Sequence, residues 1–144
     1  MGLSVSYTII HNHAGSMAEA LHGLLAQVVR KHAFDIEGQC KARSRVDTGA
    51  MRAGWYTATF DLSGYENAAA AAVSAGGKDI KILPAAMPTN DLEAIVSNAV
   101  LHAIYNEMGT VRMSAQPMAS PAVETVRPAF MAAVAAAVAQ AARA

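Results

Sequence analysis

With a single cysteine, Cys40, the sequence has no means of closing an internal disulfide. The fold must rest on packing alone, which suits synthesis in a reducing cytoplasm. A charge excess is missing too: 11 Lys and Arg against 11 Asp and Glu give a formal net charge of zero. That balance argues against generic affinity for nucleic acid or an anionic membrane surface. A long uncharged stretch runs from Pro128 to Ala142, but it is alanine-dominated. It reads as too short and too weakly apolar to span a bilayer, so no membrane partner is expected. The opening residues MGLSVSYTII lack a basic lead and a long apolar run, so no signal peptide is expected. Catalytic patterns are absent as well. No G-x-S-x-G, H-E-x-x-H or phosphate loop occurs. Gly76-Gly77 before Lys78 lacks the outer glycine and the Lys-Ser/Thr ending of a phosphate cradle. The acidic residues form no close pair for acid/base work. The expectation is a protein that is not an enzyme and carries no cofactor.

What is present is apolar: 53% of 144 residues, with only 15% charged. That length fits one domain, residues 1–144, able to bury its own core. So lean a surface suggests cover by a partner, and a neutral chain tends to self-associate. Residues 4–10 alternate as a half-buried strand, Val5, Tyr7 and Ile9 opposite Ser4, Ser6 and Thr8. A turn at 11–15 precedes Ser16, which with Glu19 makes a capping-box start to a helix. Met17, Leu21, Leu24, Leu25, Val28, His32, Ile36 and Cys40 keep a spacing of three or four, so the helix runs to about Arg45. Asp47-Thr48-Gly49 ends it, and Thr48 can cap a short turn through Arg52. Residues 55–60 read as a strand, with Trp55, Thr57 and Thr59 on one face and Tyr56, Ala58 and Phe60 on the other. Residues 62–91 read as a flexible loop, holding at most a short helix at 66–74 and a strand at 78–83. Residues 92–97 read as a strand and 99–108 as a helix with Val100, Ile104 and Met108 on its stripe. Residues 110–119 read as an extended arm. Ser120-Pro121 opens a last helix whose stripe is Val123, Val126, Phe130, Val134 and Val138, kinked or restarted at Pro128. The fold class is α+β: a long N-terminal helix packed on a small, mostly antiparallel sheet, a short helix and a C-terminal helix.

Few side chains suggest chemistry. His11-x-His13 offers two imidazoles at strand spacing, but zinc needs three or four ligands and no others stand near in sequence. The ordinary reading is a polar turn. His32 and Cys40 lie on the apolar stripe of helix one, as a satisfied core or interface histidine and a buried structural thiol. Arg30, Lys31, Lys41, Arg43, Arg45 and Arg52 form a basic stretch. It faces either solvent, a ring interface or phosphate. Lys31 with Asp35 and Glu37 with Lys41 sit four apart and absorb part of the charge as helical pairs. No aromatics interleave to stack bases. A small DNA-binding protein using 30–52 is therefore the alternative from another class, and salt-dependent DNA affinity of the isolated protein discriminates it.

Three ordered blocks carry a resemblance. The first is Val46-Asp47-Thr48-Gly49-Ala50-Met51-Arg52-Ala53-Gly54-Trp55. The second is Ala103-Ile104-Tyr105-Asn106-Glu107-Met108-Gly109-Thr110. The third is Ala115-Gln116-Pro117-Met118, then Ser120-Pro121-Ala122. Their order resembles the tail-component family of tailed bacteriophages: neck, head-to-tail joining and tail-completion proteins. That family carries V-D-T-G-x-L-R-x-S, then Y-A-x-x-x-E-x-G-T, then Q-P-F-L-x-P-A. Here Met51 stands for Leu, Gly54 for Ser, His102 precedes Ala103 where Tyr is frequent, and Met118 stands for Phe. The motif positions Asp47, Thr48, Gly49, Arg52, Trp55, Tyr105, Glu107, Gly109, Thr110, Pro117 and Pro121 are either fold determinants or ring contacts. Glu107, unfavourable near a helix C-terminus, is expected to pair with Arg52 or Arg112. The resemblance implies a virion protein of the neck, made in the host cytoplasm. It implies a homo-oligomeric ring, a hexamer, between a head-side stopper or adaptor and the tail terminator or tube. Genomic DNA passes through such a ring without sequence readout. A tail terminator capping the tube is the alternative within the class. Segments 62–91 and 110–119 are the expected contact segments, and deleting 62–91 is expected to leave a folded protomer that cannot join heads to tails.

Overall fold

The computed structural model describes residues 14–46 and 49–143. The strand expected at 4–10, the His11/His13 pair, and Asp47 and Thr48 lie outside the described residues. Among the described residues seven elements run in the order α1 (Ala14–Arg43), α2 (Ala50–Ala53), β1 (Trp55–Ala58), α3 (Tyr65–Gly76), β2 (Ile95–Asn98), α4 (His102–Met108) and α5 (Ala119–Ala141). The protein is α+β and mostly helical, with a long N-terminal helix, a two-stranded antiparallel sheet and a C-terminal helix.

The apolar spacing of α1 does what its period dictates. From Leu21 to Cys40 the stripe turns inward, with His32, Ala33 and Cys40 buried, and α5 packs along it. Met17 is exposed instead. Since α1 already starts at Ala14, Ser16 lies inside its first turn rather than at a cap. Its 30 residues make a rod of about 45 Å.

β1 pairs with β2 in the register Trp55 with Asn98 through Ala58 with Ile95. The alternation read in 55–60 holds within β1, and both faces are covered. Trp55 joins Cys40, Met51, Ala103, Met118 and Ala122 in one core cluster. Thr57 on the same face donates a 2.6 Å bond to Glu37 of α1. Tyr56 and Ala58 on the other face pack with Ala68 of α3, Ala99, Tyr65 and Ile82. The sheet is thus held between α1 and α3. Phe60, past the end of β1, is exposed.

The structure departs from several expectations. Within 62–91 the short helix read at 66–74 is present as α3, ending at Gly76, and its Ala68 and Ala72 are core residues, so the segment is not a loop throughout. Removing 62–91 would strip one face of β1, so a folded deletion protomer is no longer expected. The strand expected at 78–83 shrinks to the bridge Ile82–Val100, flanked by Leu83 N–H to Ala99 (2.7 Å) and Leu101 N–H to Lys81 (2.9 Å). In α4 the buried residue is Ala103, while Ile104 and Met108 face outward, because Val100 is already engaged in that bridge before the helix begins. α5 starts at Ala119, so Ser120 is inside the helix and Met118 is its N-cap. It also runs through Pro128 without restarting, burying Ala122, Val126, Ala137 and Ala141, whereas Val123 and Val138 are exposed. Apart from Val126 the inward residues there are alanines, which lets the backbones of α1 and α5 approach. Over its full 23 residues α5 is long and apolar enough to cross a membrane by length and composition, although it carries Glu124 and Arg127. One face of it is packed on α1.

Candidate functional site

The three sequence blocks meet in one place, around the C-terminal end of α1 and the N-terminal end of α5. Ser44 is the hub. Its Oγ donates to the Cys40 carbonyl (2.8 Å), accepts the Trp55 indole N–H (2.8 Å) and lies 3.3 Å from the Met118 sulfur. Its carbonyl accepts a 3.2 Å bond from Arg52. Met51 and Trp55 of the first block, Ala103 of the second, and Met118 and Ala122 of the third fill the space around Cys40. Burial, with the charge of Glu107 adding to it, pushes the Cys40 thiol up to about 11. It is therefore a neutral core thiol at physiological pH, not a nucleophile. Gly54 closes the knot from the other side. A Cβ there would stand 2.5 Å from Asn98 Oδ1 and 2.8 Å from Val100 Cγ2. The site therefore has no room for a side chain such as serine. Asn98 itself is spoken for, donating to the Met51 carbonyl (2.8 Å) and accepting from the Val100 N–H (2.9 Å).

Glu107 is the second organising residue, and its partner is not the arginine expected. Its carboxylate accepts backbone N–H bonds from Met118 (2.6 Å), Ala119 (3.1 Å) and Ser120 (3.0 Å). These are the orphan donors of the first turn of α5. The carboxylate is misplaced for the dipole of its own helix, but it sits at the positive end of the next one. Arg52 turns to Ser44 instead, and Arg112 has no ion pair among the described residues. Burial raises the Glu107 pKa, but the three N–H donors outweigh it and hold the carboxyl below its ordinary 4.5. A carboxyl with a lowered native pKa contributes stability above its unfolded value and loses it as pH falls through the native one. Glu107→Ala should therefore cost about 1–2 kcal/mol at neutral pH, the usual worth of a cap. The gap to wild type should narrow as pH drops below 4.5. Urea melts of both proteins at pH 7 and pH 3 check this; a gap independent of pH refutes the cap.

Gly109 and Thr110 shape the connection from α4 to α5. Gly109 takes φ 77°, ψ 175° at the end of α4, a region open essentially to glycine. Thr110 and Met113 then exchange backbone bonds (2.8 and 3.3 Å), making a closed turn with Val111 at its tip. The segment expected as an extended arm at 110–119 is thus a closed turn followed by chain without regular structure, tied back by Gln116 N–H to Asn106 (2.7 Å). Gly49 has φ 86° at the entry to α2. Tyr105 is half-exposed on α4. Pro117 is exposed before α5, and Pro121 lies in its first turn, half-buried.

The basic stretch does not present itself as a free phosphate surface. Arg30 pairs with Asp61 (3.3 Å), Lys31 with Asp35 (2.6 Å) and Lys41 with Glu37. Arg43 donates to the Thr125 hydroxyl (2.7 Å), and Arg45 is exposed past the end of α1. His32 is a satisfied core histidine: Nδ1 bonds the Val28 carbonyl (2.8 Å) and the ring meets Phe130 edge-on at 5.6 Å. Among the described residues no three His, Cys, Asp or Glu side chains cluster as a metal site. Comparison with known protein families, curated proteins and solved structures found no match.

Proposed function

We propose that this chain is a structural protein of the neck of a tailed-phage virion, where copies form a ring that joins head to tail and continues the DNA channel. The observation that carries the reading is the convergence of the three resembling blocks. They are far apart in sequence, yet Met51, Trp55, Ala103, Met118 and Ala122 pack as one cluster and Glu107 ties the second block to the third. Blocks that fold into one unit are coherent as a motif in a way that three chance matches are not. The paired basic residues support a role that needs no sequence readout of DNA. The partners are other copies of the chain, six in the ring implied by the resemblance, with the head-side stopper or adaptor below and the tail terminator or tube above.

The test is a phage or prophage in which this gene is interrupted. DNA-filled heads and finished tails should accumulate unjoined, and supplying the chain should restore joined particles. Tails of uncontrolled length would favour the terminator reading instead, and normal infectious particles would overturn both.

A further inference from the structure

Two exposed apolar features of the surface share no residue. The first is a knob. Ile104 and Met108 stand one turn apart on the outer face of α4, Met108 at 74% exposure, and Val111 at the tip of the adjoining turn is 102% exposed. The reciprocal bonds of Thr110 and Met113 fix that tip in place, so little conformational freedom remains to be lost when it is buried. The second is a groove of about 590 Å³ between α1, α5 and the residues entering β2, walled by Val29, Ile36, Val96, Val123, Phe130 and Met131. Met131 on its lip is 59% exposed. The charges beside the two features are opposite in sign. Arg112, beside the tip, has no ion pair among the described residues. Glu93 lines the groove, and its two bonds from Thr89 both use Oε2, leaving Oε1 for a neighbour.

We propose that the 104–113 knob of one copy seats Val111 in the α1–α5 groove of a second copy, with Arg112 meeting Glu93. Knob and groove are different surfaces, so the contact is head-to-tail, the kind that closes into rings when the rotation permits. The inference rests on the ring reading above and adds the surfaces that make it.

Sedimentation velocity on the full-length protein tests it, with circular dichroism to confirm folding. Val111 and Met131 point outward, so Val111→Asp and Met131→Asp should both fold. Each should weaken self-association at least roughly 30-fold, as losing a buried interface anchor does. Mixing the two variants should yield a one-to-one dimer and nothing larger, because each retains one sound surface. Arg112→Glu and Glu93→Arg should each weaken the oligomer, and combining them in one chain should restore it. A ring that survives Val111→Asp, or a mixture that stays monomeric, overturns this contact while leaving the ring reading intact. If residues 1–13 of the same chain or a small apolar molecule fill the groove instead, Met131→Asp leaves the oligomer unchanged, which also overturns it. A wild-type protein that stays monomeric at every concentration overturns the ring reading together with the contact.

Discussion

Trp55→Ala should destabilise the protein by about 3–5 kcal/mol, the cost of truncating a large aromatic in a packed core. Trp55 is 6% exposed and touches all three blocks through the cluster around Cys40 and Met118. Removing the indole leaves a hole whose walls come from α1, α2, α4 and α5. Four elements held by separate contacts cannot all collapse into it. The hydrogen bond matters less, since Ser44 Oγ keeps its bond to the Cys40 carbonyl when the Trp55 N–H is gone. Trp55→Phe should therefore recover most of the loss, costing about 1–2 kcal/mol for the missing donor and smaller ring. As a domain of this size has only about 5–15 kcal/mol in hand, the alanine variant should melt far below wild type. The chain has a single tryptophan, so its unfolding must be followed by circular dichroism rather than indole fluorescence. A cost under about 1 kcal/mol would show that the knot is not where the stability lies, against the ordinary worth of a core aromatic.

What the sequence could disclose depended on how the information was spaced. Leu21 to Cys40 repeat every three or four residues, and period alone puts them on one face of α1. Trp55 to Ala58 alternate, and period alone separates the α1 side of β1 from the α3 side. Both readings need only near neighbours. The cap of α5 was invisible for the opposite reason: its acceptor, Glu107, lies 11 to 13 residues before the N–H groups it bonds. Ser120 satisfied the local rule, but the tertiary fold supplied a charged acceptor for the preceding N–H groups too, so the helix starts at Ala119. Alanine hid the rest. In α3 and α5 the inward residues other than Val126 are Ala68, Ala72, Ala122, Ala137 and Ala141, and a stripe of alanine cannot be told from the alanines around it. The larger Val123 and Val138 mark a stripe by size alone, yet both are exposed. Likewise Val100 belonged to a bridge with Ile82, a long-range pairing that no helical period encodes.

Gly109→Ala should destabilise the protein by about 2–5 kcal/mol, summing a backbone conformation that only glycine adopts easily and an overpacked site. At φ 77° an added Cβ would stand 2.7 Å from Ala115 N, 2.9 Å from the Met113 carbonyl oxygen and 3.2 Å from Ala115 Cα. All three are backbone atoms, so no side chain can swing aside. Gly77 is the internal control. It has φ 81° at the end of α3, but a Cβ there meets nothing within 4 Å. Gly77→Ala should therefore show the conformational part alone, about 1–3 kcal/mol. The difference between the two variants in urea unfolding measures the clash. That clash also acts on assembly. Relieving it means parting residue 109 from 113–115, which opens the Thr110–Met113 turn and moves the Val111 tip. Gly109→Ala should thus lower both stability and self-association, whereas Val111→Asp lowers self-association only. Equal stability losses at Gly77 and Gly109 would show that the turn yields freely, and a tip that yields freely could not act as a preorganised contact.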